Sequence, residues 1–149
     1  MSLQGKHILV GISGGIAAYK IPELIRSLIK EGAEVRVVAT KNALEFVTEL
    51  TLQTLSGSRV YSNVFAAINE HSTEHISLPD WADLMIVAPA TANVLCKMAH
   101  GIADNMLITT YLSMKAPVFE GCDGFLQAVR ESGVVGLGGA AFPTWAKLN

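Results

Sequence analysis

Cysteine is nearly missing: Cys96 and Cys122 are the two in 149 residues, and their placement makes neither a disulfide framework nor a C-x-x-C site. Buried or incidental thiols are the expectation. Charge is also scarce, with 16% charged residues, a formal net charge of −2 and eleven basic residues scattered along the chain. Without a basic stripe, a nucleic-acid partner is not expected. No apolar run suits a bilayer, because the least charged stretch, 84–114, still holds Lys97 and Asp104 and is interrupted by Pro89, Asn93, His100 and Gly101. Met1-Ser-Leu-Gln-Gly leads into the first strand with no apolar leader, so a cytoplasmic location is the expectation. Against these shortages, half the residues are hydrophobic and the mean hydropathy is +0.39. One domain with a real core fits this length, and so apolar a composition hints at buried subunit contacts.

The stretch His7 to Lys20, HILVGISGGIAAYK, organises the rest. An apolar run ends in Gly11-Ile12-Ser13-Gly14-Gly15 and gives way to a helix-forming segment, which reads as strand, glycine turn, helix. Glycines let the backbone approach a ligand, and the first N–H groups of a helix lack partners of their own, so this layout suits an anion such as phosphate. The spacing is G-x-x-G-G, which is neither the dinucleotide fingerprint nor a P-loop. A plain βα turn that binds nothing is the competing reading.

Next, Ile21, Leu24, Ile25, Leu28 and Ile29 share one helical face, with Pro22 kinking the helix or closing a short first turn and Gly32 stopping it. Val35 to Ala39 reads as a parallel strand covered on both faces. Thr40-Lys41-Asn42 follows at its carboxyl end, where open α/β sheets bind ligands, and the same residues suit a helix cap. A helix is predicted from about Ala43 to Leu50 with Phe46 on its apolar side, then a short strand around Arg59 to Tyr61. Residues 63–80 read as polar and irregular. His71-Ser72-Thr73-Glu74-His75 matches an H-x-x-E-H zinc pattern, yet no third ligand is evident, Ser72-Thr73 is a poor helix interior and Pro79 closes the segment. No metal is expected. Leu84 to Ala88 reads as a buried strand running into Pro89-Ala90-Thr91-Ala92-Asn93 and a helix through about Met98. Three polar turns would then share one edge of a parallel sheet. Asp104 to Met114 predicts a helix apolar nearly all round, which favours packing against another subunit, and Pro117-Val118-Phe119 begins a further strand. The fold class expected is α/β, a Rossmann-like doubly wound parallel sheet.

GISGGIAAYK, VVATKNALEFV, LTLQTLSG, EHISLPDWADLMIVAPATAN and MAHGIADNMLITTYLSMKAPV, in this order, resemble the FMN-dependent cysteine decarboxylases, homo-oligomeric flavoproteins, and most closely their phosphopantothenoylcysteine decarboxylase branch. The resemblance runs from about Lys6 to Phe119, so an FMN-binding domain is expected over 1–119. It implies FMN as cofactor and 4'-phosphopantothenoylcysteine as the small-molecule substrate, in coenzyme A biosynthesis. Ser13, Gly14, Gly15 and Ile16 would contact the FMN phosphate region. Thr40, Lys41 and Asn42 would border the cofactor from one side and Thr91, Ala92, Asn93 and Val94 from the other, with Phe46 near the flavin. His75 matches the catalytic histidine, and a neutral imidazole suits proton transfer near neutral pH. His71 and His100 read as loop histidines. In this family FMN oxidises the cysteinyl thiol to a thioaldehyde, which accepts the electrons left when carbon dioxide departs. The cofactor lies between subunits of a trimer.

The resemblance breaks after Ala116-Pro117-Val118-Phe119. The family continues with a Pro-Ala-Met-Asn segment, whose asparagine holds the substrate carboxylate, and later a lid cysteine; here the chain reads Glu120-Gly121-Cys122-Asp123-Gly124. Residues 120–149 form a divergent tail. Its end, with Gly136-Leu137-Gly138-Gly139-Ala140-Ala141-Phe142-Pro143-Thr144, resembles a fragment of the C subunit of Rnf-type electron-transport complexes. The tail is either a joined fragment or a last helix, Phe125 to Ser132, and strand, Val134 to Leu137. Alternatives to the decarboxylase are a non-catalytic flavin-binding or regulatory subunit and a flavin prenyltransferase, which shares the fold.

Overall fold

The structure, a computed structural model, describes residues 3–64 and 74–115. Strand β1 (His7–Ile12) leads through a 3-10 helix (Ile16–Lys20) into α1 (Ile21–Lys30), and β2 (Glu34–Ala39) through a second 3-10 helix (Lys41–Glu45) towards α2 (Glu49–Ser56). Then come β3 (Val60–Tyr61), α3 (Glu74–Trp81), β4 (Leu84–Val87), α4 (Ala92–His100) and α5 (Met106–Ser113). The four strands are all parallel, in the order β3-β2-β1-β4. From β1 the chain steps outward to β2 and β3, then crosses to the other side of β1 for β4. The strand order therefore reverses beside β1, and such a reversal opens a crevice at the carboxyl ends of the strands.

Alternation along β1 divides the core. Ile8, Val10 and Ile12 join Val35, Val37 and Ala39 of β2 under Ile21 and Ile25 of α1 and Leu52 of α2. On the other face, Leu9 and Val38 meet Leu78 of α3, Val94 of α4 and Met106, Leu107 and Ile108 of α5. Covering both faces is what the unbroken apolar runs of β1 and β2 require. Leu107 rests on Gly11, where an added Cβ would come within 3.2 Å of its Cδ1. The link between α4 and α5 is pinned by Lys97 Nζ and Asp104 Oδ2, 2.5 Å apart, and this hydrogen bond holds the Asp104 carboxyl below the usual aspartate range. Asn105 caps α5 by accepting from the Ile108 N–H at 3.1 Å.

Several boundaries differ from the sequence reading. Pro22 sits in the first turn of α1, closing the short 3-10 turn before it. The helix expected over 43–50 is instead the 3-10 helix Lys41–Glu45, followed after a gap by α2, because Thr48 accepts from the Thr51 N–H and starts a new helix there. The segment 63–80 is not irregular throughout: α3 begins at Glu74 and carries Pro79 inside it. β4 is less buried than its composition suggests, with Leu84 51% exposed at the start of the strand. On α5, Met106, Leu107, Ile108 and Thr110 are buried, while Tyr111 and Leu112 are 37% and 45% exposed. The expected strand from Pro117 and everything expected of 120–149 lie outside the described residues, as does His71.

Leu107→Ala should cost about 2–5 kcal/mol, as truncation of a fully buried leucine does. A urea unfolding midpoint unchanged from wild type would contradict the packing of α5 on β1.

Candidate functional site

Three chain segments leave the carboxyl edge of the sheet side by side, and hydrogen bonds hang two of them on the third. The Thr40 N–H donates to the Ile12 carbonyl at 2.9 Å, and the Ala88 N–H donates to the Gly11 carbonyl at 2.8 Å. Ser13 completes the join. Its side chain is fully buried, its hydroxyl donates to the Pro89 carbonyl, and it accepts from the Thr91 N–H at 3.1 Å. The one donor of this hydroxyl and one of its lone pairs are thus spent inside the protein.

Glycine is required at one of the two neighbouring positions. A Cβ on Gly14 would stand 2.5 Å from Asn42 Cβ and 3.0 Å from the Asn42 carbonyl carbon, so the glycine turn presses against the turn after β2. A Cβ on Gly15 would meet Thr91 Cγ2 at 3.5 Å and Pro89 Cγ at 3.7 Å, which is ordinary contact. The glycine turn is therefore wedged between the other two.

Both flanking turns end in the same device. Thr40 accepts from the Ala43 N–H at 3.2 Å, and Thr91 accepts from the Val94 N–H at 3.3 Å. Each cap satisfies the third amide of its helix, leaving the two earlier amides at the tip of the turn among those a helix does not pair within itself. Around these tips Lys41, Asn42, Ala92 and Asn93 are exposed, Thr40 and Thr91 are half-buried, and Val94 is buried beneath. Ile16 and Phe46 are 69% and 47% exposed, large for apolar side chains beside a polar crevice. Of the residues expected to border a cofactor, all twelve lie on these three segments; Ser13 and Val94 support the crevice from below.

His75 is the second residue of α3. Because α3 joins parallel strands, it runs back across the sheet from the carboxyl edge to the amino edge. Trp81 lies against His7 and Arg36, and Leu78, one turn earlier, packs with Leu9 and Val38. Eight helical residues rise about 12 Å, close to the roughly 13 Å length of four strand residues. One turn before Leu78, the backbone of His75 is therefore carried towards the edge that bears the three turns.

The donors present fit a phosphorylated aromatic cofactor. Backbone amides at helix starts, the Lys41 ammonium and the Asn42 and Asn93 amides suit a phosphate and polar ring edges, while Ile16 and Phe46 offer apolar surface. Among the described residues no group of three His, Cys, Asp or Glu side chains could hold a metal ion, and no helix is long and apolar enough to cross a membrane.

The Flavoprotein family model matches residues 1–119. The chain belongs to the Flavoprotein family. It is 50% identical over 117 residues to the coenzyme A biosynthesis bifunctional protein CoaBC of Bacillus subtilis, covering 78% of this chain and 29% of that protein. This chain thus spans about three-tenths of the length of such bifunctional relatives. Among solved structures, the FMN-dependent cysteine decarboxylase SpaF superposes with a TM-score of 0.73 at 26% identity, over 89% of this chain and 83% of that one. A mutant PPC decarboxylase complexed with pantothenoylaminoethenethiol superposes with a TM-score of 0.65 at 32% identity, over 74% of this chain and 61% of that one. The α/β sheet described above is thus the flavoprotein cysteine-decarboxylase fold, as the sequence motifs imply.

Sequence reasoning placed the three turns on one edge but missed what joins them. Nothing in the spacing of Ser13 and Pro89 marks them as partners, since the contact spans 76 positions. Nor does G-x-x-G-G say which glycine is indispensable. Gly14→Ala should lower stability by about 1–3 kcal/mol through overpacking against the Asn42 backbone. Ser13→Ala should lower it by a similar amount, about 1–3 kcal/mol, by stranding a buried carbonyl and amide. Gly15→Ala should leave the unfolding midpoint close to wild type. Equal midpoints for Gly14→Ala and Gly15→Ala would refute the wedge.

Proposed function

We propose that this flavoprotein domain binds FMN across its three turns and decarboxylates the cysteine moiety of 4'-phosphopantothenoylcysteine, a step of coenzyme A biosynthesis. The observation that carries the reading is the junction of the Ser13–Ile16, Thr40–Asn42 and Thr91–Val94 turns at the strand-order reversal, in a chain 50% identical over 117 residues to a CoaBC protein. Backbone amides of the glycine turn other than that of Gly15, which donates to the Ser13 carbonyl at 3.0 Å, would with Lys41 receive the phosphate; Asn42 and Asn93 would hold polar edges of the cofactor, and Phe46 and Ile16 would cover its apolar surface. Bound FMN would supply a two-electron acceptor for the substrate thiol and return the pair as hydride to the enethiol left when carbon dioxide departs.

The chain's own part is position and protons. Capped helix starts hold the first amides of the two flanking turns in fixed positions, so little reorganisation is needed when an anion arrives. His75, brought towards the same edge by α3, is the proton-transfer residue, its imidazole able to take and return a proton near neutral pH. Tyr111 and Leu112 of α5, with exposed Ile102, form apolar surface that supports a homo-oligomer, a trimer or a multiple of trimers, in a cytoplasmic setting.

A second reading, FMN binding without turnover in a regulatory or carrier subunit, is favoured by one feature: Glu120-Gly121-Cys122-Asp123-Gly124 stands where the cysteine decarboxylases carry Pro-Ala-Met-Asn. Carbon dioxide release from 4'-phosphopantothenoylcysteine separates the two. Flavin-loaded protein should release it, and His75→Asn should slow release roughly 10²–10⁴-fold, the usual worth of a positioned acid–base group. No release from folded, flavin-loaded protein would overturn the decarboxylase reading and leave the binding one.

A further inference from the structure

At the amino edge of the sheet, far from the three turns, one aromatic side chain is held by two others. The Trp81 ring stacks on His7 with centroids 4.7 Å apart and planes 19° from parallel, and the Arg36 guanidinium lies 4.1 Å from the Trp81 ring centroid. The backbone around it is tied as well. His7 Nδ1 is 3.1 Å from the Trp81 carbonyl oxygen, the His7 N–H donates to Asp83 Oδ2 at 2.9 Å, and the Asp83 N–H donates to the His7 carbonyl at 2.9 Å. Glu34 Oε2, 3.5 Å from His7 Nε2, braces the imidazole from β2. A cation over tryptophan and a stacked ring pair are both favourable contacts beyond the area they bury. Such a clamp on a helix of only eight residues implies that something about the helix needs holding.

The helix itself shows what. A free helix this short is unstable, and α3 lacks one of its own rungs. Pro79 has no N–H, so the carbonyl of His75, four residues earlier, receives no hydrogen bond from it. The turn that carries His75 is therefore the part of α3 least secured by the helix ladder. Its course across the sheet depends on tertiary anchors instead: Leu78, fully buried between Leu9 and Val38, and the Arg36–Trp81–His7 stack one turn below.

We propose that Trp81 is a positioning residue for His75: packed against Arg36 and His7, it fixes the lower end of α3 and so sets where His75 stands at the carboxyl edge. This rests on the role given to His75 above. Displacing a catalytic group by about 1 Å can cost about 10² in rate, so the clamp matters to chemistry without touching substrate.

The test uses flavin-loaded, 15N-histidine-labelled protein, with the His75 ring signals assigned by their loss in His75→Asn. Trp81→Leu should shift or broaden those signals while leaving His100 unchanged, and Trp81→Phe, which keeps a stacking ring, should restore them. In the decarboxylation assay, Trp81→Leu should lower kcat about 10²-fold with little change in KM, again restored by Phe. If wild type releases no carbon dioxide, the decarboxylase reading fails and the ring signals alone decide this one. If Trp81→Leu does not fold, Arg36→Met, which removes the cation and spares the stack on His7, carries the same comparison. His75 signals unmoved in the folded variants would overturn the proposal.

Discussion

Everything at the carboxyl edge hangs on the buried hydroxyl of Ser13. It occupies the first position after β1, at the place where strand order reverses, and bridges the gap between the glycine turn and the Pro89–Thr91 turn with one donated and one accepted hydrogen bond. Two parallel strands that are neighbours in the sheet but 76 residues apart in sequence are joined by the Ala88 N–H and the Gly11 carbonyl, and Ser13 extends that join into the turns beyond them. A loop has few buried contacts to hold it, and a buried polar pair is costly to leave unmade, so this bond gives the edge a single geometry. Gly14 does the same towards the other side by leaving no room between itself and Asn42.

The two flanking turns solve one problem in one way. Thr40 and Thr91 each accept from the amide three residues on, which fixes the helix start and leaves the earlier amides presented at the crevice. A site assembled from helix starts needs little charge from side chains, which agrees with a chain poor in charged residues. The FMN binding proposed for this edge would be built by the fold, and the chemistry proposed for it depends on what α3 brings to the edge.

Much of this was legible before any coordinates. The apolar run from Ile8 to Val10 specifies a strand and the near-continuous run Val35 to Ala39 one covered on both faces, and β1 and β2 form there. G-x-x-G-G, Thr40-Lys41-Asn42 and Thr91-Ala92-Asn93 each follow a strand, so a parallel sheet necessarily collects them on one edge. What stayed hidden was non-local. The partner of Ser13, the glycine that faces Asn42, and the stack of Trp81 with His7 and Arg36 depend on strand order and register, which no local pattern encodes. Over 43–50 apolar spacing alone suggests one helix, whereas Thr48 starts a new one. The helix α3 was passed over because Pro79 normally ends helices, while burial of Leu78 and the Trp81 stack hold it together across that residue.

The central claim is that the three turns form a working flavin site. The most direct measurement is the visible absorption spectrum of the purified protein, taken before and after adding FMN and removing the excess. The wild type should retain a flavin band, and Ser13→Ala should weaken it. Folded protein that holds no flavin even after FMN is supplied would contradict it.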